Sequence, residues 1–489
     1  MQITKTIFDG TPEQGFETDI LLPDYCKDIT RILKCNATSR ISRISQNANT
    51  VDIDGVVLVQ VYYLCSENKI NSYSTRLMFS KTLTLNCDNL VLWAKVSSQI
   101  QYINCRVVNP RRLDIRGAVT IFSNVTSCEE IALLKECDDD VQVMRNNVSS
   151  LCQVGKLTQP FSVKEEIPSE NQITNVLRTH AIAQTAEVKI INNKLIVKGQ
   201  MSVHLTTQND NEEIEHSTYT IPISQIADLQ GVDEESICCV DFDVVYVDTS
   251  VKNIENGQIL EFDAKLVLTV DAKTVCDTTI CTDAYGTQCE VTPKKENVTV
   301  TTLCQHIDEK KVYKNTFPLE DPTDIVCDLW YEEKPLNQTF ENNSLTLTLG
   351  VVISMILSND SGECNYVEQT LPVIETIPLK DVTSAMFEGC VKVCEVAYTT
   401  TQNGVEVTLT VKFLGNVISK NTLNAITTLE CDETKRYKEK DCALTIYFAS
   451  NGESVWEIAK RYHTKKDAIT LANNLDTDTV AGGILLIPN

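Results

Sequence analysis

Val51-Asp52-Ile53-Asp54-Gly55-Val56 closes a stretch that opens at Ile29 with Ile32 and Leu33 behind it, and the chain uses that arrangement three times. The second copy opens at Ile173, Val176 and Leu177 and closes in Leu195-Ile196-Val197-Lys198-Gly199-Gln200. The third opens at Ile325, Asp328 and Leu329 and closes in Leu345-Thr346-Leu347-Thr348-Leu349-Gly350. The interval is 26 residues from Ile29 to Gly55, 26 from Ile173 to Gly199 and 25 from Ile325 to Gly350. Copies start 144 and 152 residues apart. That is far beyond the ~20–50 residues of solenoid and propeller repeats, so each copy belongs to a unit of domain size.

Beyond Gly55, Val57, Val59, Val61 and Tyr63 share one face of a strand, and Val56, Leu58, Gln60 and Tyr62 share the other. Such a strand is covered on both sides. Ser66-Glu67-Asn68-Lys69 predicts a turn into a second β-rich run, and Asn109-Pro110 predicts another between 99–108 and 112–123. Asn192-Asn193, Asn256-Gly257, Asn342-Asn343 and Asn403-Gly404 are hairpin dipeptides in the later units. Long helical crossovers are missing, so the sheets are expected to be antiparallel. The fold class is mainly β: three tandem antiparallel β-sandwich-like domains at 1–150, 151–305 and 306–442, then a small β-α-α-β module at 443–489. Apolar spacing of i, i+3, i+4 predicts short helices at 29–33, 173–177 and 128–135, covering open sheet ends.

A length of 489 residues accommodates about three or four domains. The net charge of −24 opposes binding to nucleic acid or to an anionic membrane. No apolar run approaches the ~20 residues that span a bilayer. The start, Met1-Gln2-Ile3-Thr4-Lys5, lacks the layout of a secretory signal, so the protein is expected to stay where it is made. Twenty cysteines are about 4% of the chain, below the ~8–10% of a disulfide scaffold. The nearest approaches to metal spacing are Cys390 with Cys394, Cys238-Cys239 and Cys304-Gln305-His306. Free thiols are therefore expected, with no metal or other cofactor.

Catalytic patterns are missing too. None of the five histidines stands in an H-E-x-x-H arrangement, and His180, where the first copy has Asn36, is expected at the surface or in packing. The G-x-S-x-G elbow and the phosphate-cradling G-x-x-x-x-G-K-[ST] loop are absent. Acid pairs such as Glu165-Glu166 carry no information among 67 acids. The chain is expected not to be an enzyme.

The last 47 residues change character. Thr445-Ile446-Tyr447-Phe448 and Gly483-Ile484-Leu485-Leu486-Ile487-Pro488 predict two pairing strands. Between them, Ser454 and Glu457 suggest a capping box, with Val455, Ile458, Ala459 and Tyr462 on one helical face. Thr464-Lys465-Lys466-Asp467 suggests a second helix begun in the same way and ended by Asn473-Asn474. Trp456 is expected in packing under the helices, with Glu453, Lys460, Lys465 and Lys466 reaching solvent. Five acids and four bases leave the module near neutral.

Gly452-Glu453-Ser454, Trp456-Glu457-Ile458-Ala459, Asn473-Asn474-Leu475 and Ile487-Pro488 resemble the LysM domain, with Asn451 in place of the usual proline. That resemblance implies a groove formed by Asn451, Gly452, Glu453, Ser454 and Trp456 with Asn474, Leu475 and Asp476, holding N-acetylglucosamine chains or a protein. Lys460, Lys465 and Lys466 would be further partner contacts. The three copies, with Asp283-Ala284-Tyr285-Gly286-Thr287 closing the second unit, resemble SPOCS domains. Three of these followed by a LysM domain resemble the SipL family of spore coat morphogenetic proteins.

The family resemblance implies a non-enzymatic scaffold in the mother-cell cytoplasm, at the forespore surface and spore coat. It would bind the coat-scaffold ATPase through the LysM module and other coat proteins through the repeated β-domains, as several weak modules tethered in series. Self-association through exposed sheet edges is a further expectation. The alternative is a binder of peptidoglycan or its lipid-linked precursor.

Overall fold

In the computed structural model the described residues are all except 1, 48, 67–68, 87–91, 170–171, 256, 320–323, 360–362, 403, 439–441 and 489. The first unit runs β1 (Gln2–Gly10), β2 (Glu13–Leu21), β3 (Arg31–Asn47), β4 (Thr50–Leu64), β5 (Ile70–Thr84), β6 (Leu92–Asn109) and β7 (Arg112–Glu130). One sheet is the meander β3-β4-β5; in the other, β7 pairs β6 on one edge and both β1 and β2 on the other. The second unit has β8 (Val141–Pro168), β9 (Asn175–Ile191), β10 (Lys194–Gln208), β11 (Ile214–Asp228), β12 (Ile237–Ile254) and β13 (Gly257–Gly286). Its sheets are β9-β10-β11 and β8-β13-β12.

The third unit repeats this plan with β14 (Cys289–Phe317), β15 (Ile325–Glu333), β16 (Asn337–Glu341), β17 (Ser344–Ser358), β18 (Cys364–Pro378), β19 (Met386–Thr401) and β20 (Gly404–Arg436). Two strands of the plan are broken: β1/β2 at Pro12 and β15/β16 at Pro335, where proline withholds the ladder donor. Among the described residues every strand pairing is antiparallel, and each unit has its own apolar core between its two sheets.

Several turns form as expected. Asn192 and Asn193 (φ 46° and 64°) and Asn342 and Asn343 (φ 50° and 56°) adopt the left-handed pair of a tight hairpin. Glu67 and Asn68 of the expected turn, and Asn256 and Asn403 of two hairpin dipeptides, lie outside the described residues.

The short helices do not form. Residues 31–33 and 175–177 are strand, and 131–138 has no regular structure. The helical spacing comes from β-bulges between Ile32 and Lys34 and between Thr206 and Thr207's partners, Arg178 and Val176. A bulge inserts a residue and breaks the two-residue alternation, so apolar neighbours mimic a helix face.

The third glycine is also out of register. Counted back from the hairpin pairs Leu64↔Ile70, Gln208↔Ile214 and Ser358↔Cys364, Gly55 and Gly199 correspond to Leu349, not Gly350. A Cβ on Gly55 would lie 2.1 Å from the Phe79 ring and one on Gly199 2.2 Å from the Gln184 carbonyl. At Gly350 the nearest atoms are 3.6 Å away, an ordinary contact.

The divisions at 150/151 and 305/306 fall inside β8 and β14. β8 pairs with β13 without a break in the chain from Val141↔Gly286 onward, and β14 pairs with β20 from Cys289↔Arg436. The outer halves of these two ribbons pack together through Ile280, Val298, Val300 and Ala425, and through Val141, Cys281, Ala284 and Ile426.

The units are not independent modules in series. β4 is covered on both faces because its outer side meets the other units: Val56 packs with Val245 and Val267, and Tyr62 stacks on Trp330 at 5.0 Å. There Asp328 accepts hydrogen bonds from the Tyr62 hydroxyl (2.5 Å), Arg178 Nε (2.9 Å) and Nη2 (2.8 Å), and Thr206 (3.0 Å). One buried carboxylate thus joins all three units. His180, next but one to Arg178 along β9, is half-buried, 5.6 Å from the Tyr331 ring.

Candidate functional site

The C-terminal module pairs β21 (Leu444–Ala449) with β22 (Gly483–Pro488) and covers one face of this ribbon with α1 (Val455–Arg461) and α2 (Lys466–Asn473). Val455, Ile458, Ala459 and Ile469 close on Leu485 and Ile487. Neither helix start is capped by a side chain, so the expected capping boxes are absent. Thr464 instead donates to the Pro488 carbonyl (2.8 Å), and Lys465 is the N-cap of α2.

The loop before α1 is held by backbone bonds. Gly452 N–H donates to Val480 O (2.8 Å), Val480 N–H to Glu453 O (3.0 Å) and Val455 N–H to Asp478 O (2.9 Å). Ser454 forms a β-bridge with Thr479. Glu453 accepts the Tyr447 hydroxyl (2.7 Å) and the Ser450 N–H (3.1 Å), and these bonds hold its carboxyl below its ordinary pKa. Asn474 (φ 48°) turns the chain out of α2. Asn451, Gly452, Asn474 and Asp476 are exposed, while Leu475 is half-buried against the module core. Lys465 is exposed; Lys466 pairs with Asp478 at 2.5 Å.

Trp456 and Lys460 are placed differently: both face the second unit. Trp456 Nε1 donates to Asp283 Oδ2 (2.9 Å), and Lys460 Nζ lies 2.7 Å from the same oxygen. The Tyr285 ring meets Trp456 edge-on at 4.9 Å, and its hydroxyl donates to Thr464 O (2.8 Å). Burial alone would raise the Asp283 carboxyl, but the bonds from Lys460 and Trp456 outweigh it and hold it low. Tyr437 stacks on His463 at 3.7 Å. Trp456 is buried as expected, yet against the end of β13 as well as within its own module.

The loops around 451–454 and 474–476 therefore stay open while the Trp456 face is occupied. Sequence reasoning missed Asp283 and Tyr285 as the receiving surface. Their signal was the Asp-Ala-Tyr-Gly run itself, which puts a carboxylate and an aromatic at the end of a long strand. A further reason to look for such a surface was the indole N–H of Trp456, which needs a partner when buried.

Among the described residues, no helix is long and apolar enough to cross a membrane. No curated protein and no solved structure matches the chain. Residues 28–108 and 172–252 match the model described as SipL, SPOCS domain, and residues 450–487 match the LysM domain. Both are non-catalytic domain families. The chain carries two SPOCS domains and a C-terminal LysM domain, the makeup of a SipL-type protein associated with sporulation.

Proposed function

We propose that the chain is a non-enzymatic adaptor of endospore coat assembly that tethers coat to the forespore surface by binding the coat-scaffold ATPase through its LysM module. In this reading residues 289–436 are a third SPOCS-type unit, and the protein works in the mother-cell cytoplasm. The observation that carries it is the seating of the module. The contacts of Trp456 and Lys460 with Asp283 and Tyr285 fix it to the β-units while Asn451, Gly452, Asn474 and Asp476 remain exposed. A partner held there is held in a defined direction relative to the joined units, with less ordering cost than on a free tether.

Gly452 offers a clean probe, because a Cβ there meets nothing within 4 Å and asparagine tolerates its positive φ (80°). Gly452→Asn should leave the fold intact and weaken ATPase binding by ~10-fold, which is about 1.4 kcal/mol. Unchanged binding would count against this loop.

The LysM match favours one second reading, a binder of peptidoglycan or its precursor through the same loops. Sedimentation with insoluble peptidoglycan separates the two. Retention of the full chain and its loss in Gly452→Asn, with no ATPase binding, would establish the sugar reading.

A further inference from the structure

The ribbon of β21 and β22 has two faces, and the helices cover one of them. Alternation sends Tyr447, Ala449, Leu485 and Ile487 under α1 and α2. The opposite face carries Leu444, Ile446 and Phe448 on β21, and strand register sets Pro488, Leu486 and Ile484 directly across from them. Side chains opposite each other in an antiparallel pair stand about 4.5–5.5 Å apart at Cβ, so these six form one continuous apolar surface. Phe448 is 73% exposed, Ile484 66%, Ile446 60% and Leu444 46%. None of the six joins any of the molecule's buried apolar clusters.

Exposed apolar side chains on the β-units are arranged differently. Met78 lies opposite buried Val56, Tyr102 opposite buried Ala118 and Val312 opposite Thr410. Among the described residues, Phe448 and Ile484 are the one pair of exposed large apolar side chains set directly opposite each other on neighbouring strands. Single apolar residues at a surface need no explanation, whereas a contiguous patch marks a place of contact.

We propose that this face is an isologous interface at which the ribbon of one chain stacks on the ribbon of a second copy. Three observations select a copy of the chain as the occupant. The six side chains carry no charge, so the face has no pattern of signs to choose a different protein and is as complementary to itself as to anything else. The module that bears it has a net charge of −1 in a chain of −24, so two copies can meet here while the strongly acidic β-units, which repel each other, stay out of the contact. The area is also sufficient: each face offers about 500 Å², and two stacked faces remove about 1,000 Å² from water, the size at which a specific interface begins. With the strands of the two ribbons running in opposite senses, the bulky Phe448–Ile484 end of each copy covers the smaller Leu444–Pro488 end of the other. The loops at 451–454 and 474–476 and the Trp456 contact with Asp283 are not used, so a pair of chains presents both sets of loops at once.

The test is sedimentation equilibrium of the full chain over a concentration series reaching about 100 μM, the range suited to an interface of this modest size. The expected result is a reversible approach to twice the chain mass. Phe448→Lys and Ile484→Thr, both at exposed strand positions, should each raise the dissociation constant at least ~10-fold with thermal unfolding of the dilute protein unchanged. The threonine variant keeps a β-branched side chain and serves if the lysine disturbs the ribbon. A native chain that stays single throughout the series, or a pair that both folded variants leave intact, would overturn the proposal. So would variants that keep the native mass distribution while losing purified coat-scaffold ATPase, because the face would then belong to that partner.

Discussion

Two aspartates join parts of this molecule with the same chemistry and in different surroundings. Asp328 accepts from an aromatic hydroxyl, Tyr62, and from a base, Arg178; Asp283 accepts from an aromatic N–H, Trp456, and from a base, Lys460. At the first junction the side chains are 4% and 15% exposed (Asp328 and Arg178), at the second 19% and 39% (Asp283 and Lys460). Water screens the second pair and is largely shut out from the first. A buried pair is costly to break, whereas a half-exposed one contributes little. The three β-units are therefore fused into one body, and the LysM module is seated on it by a contact that leans on aromatic packing.

The largest expected effect is at the fused junction. Arg178→Met leaves the Asp328 carboxylate buried without its cation and should cost ~3–5 kcal/mol, read as a lowered denaturant midpoint of the whole β-body. A loss below ~1 kcal/mol would mean that the two junctions do not differ as their burial suggests. Trp456→Ala should cost ~3 kcal/mol through lost core packing and also detach the module from Asp283. Faster amide exchange confined to residues 444–488, with β4, β9 and β15 unaffected, would show that the two junctions are separable.

Acid should act on the fused junction. Burial and then the neighbouring Arg178 push the His180 imidazole far below its ordinary pKa; His204 is lowered by the same two causes. Burial also lowers His216, with Asp328 opposing and Arg178 adding. Arg40 also lowers His180, Glu395 opposes the shift of His204 and the Cys327 backbone that of His216, while the Tyr331 ring packs on His180. The folded chain keeps these rings neutral where the unfolded chain protonates them, so the unfolded state binds more protons below about pH 6.5. Stability should accordingly fall as pH falls, by up to ~1.4 kcal/mol per pH unit for His180, with a smaller share from half-buried His204 and the least from exposed His216. His180→Asn, which supplies the residue found at Asn36, should flatten that slope between pH 6.5 and 5. The smallest effect is expected for Lys460→Met, ~0.5 kcal/mol, with the module still folded.

Much of this was legible in the sequence. Alternation in 51–64, the asparagine hairpins and the Trp-x-Ile-Ala helix each obey local rules, and local rules survive folding. Bulges do not follow them: Ile32-Leu33 reads as a helix face because an extra strand residue breaks the period. Gly350 looked equivalent to Gly55, but it lies one residue past the true counterpart, Leu349, and so on the other face of β17. Asp328 was visible only as an acid within an apolar copy. Its meaning needed Tyr62 and Arg178, which lie 266 and 150 residues away in sequence. The LysM groove residues came from a family pattern, whereas the surface that receives Trp456 lies on another unit and no pattern within the module could disclose it.

The most direct measurement is a titration of purified coat-scaffold ATPase onto the full chain, beside Gly452→Asn and Lys465→Glu on the open loops and α2. Saturable binding by the native chain, weakened ~10-fold or more by the loop variant with unchanged thermal unfolding, is expected if the module is the docking point. Equal affinity for all three chains, each fully folded, would place the ATPase contact elsewhere and contradict it.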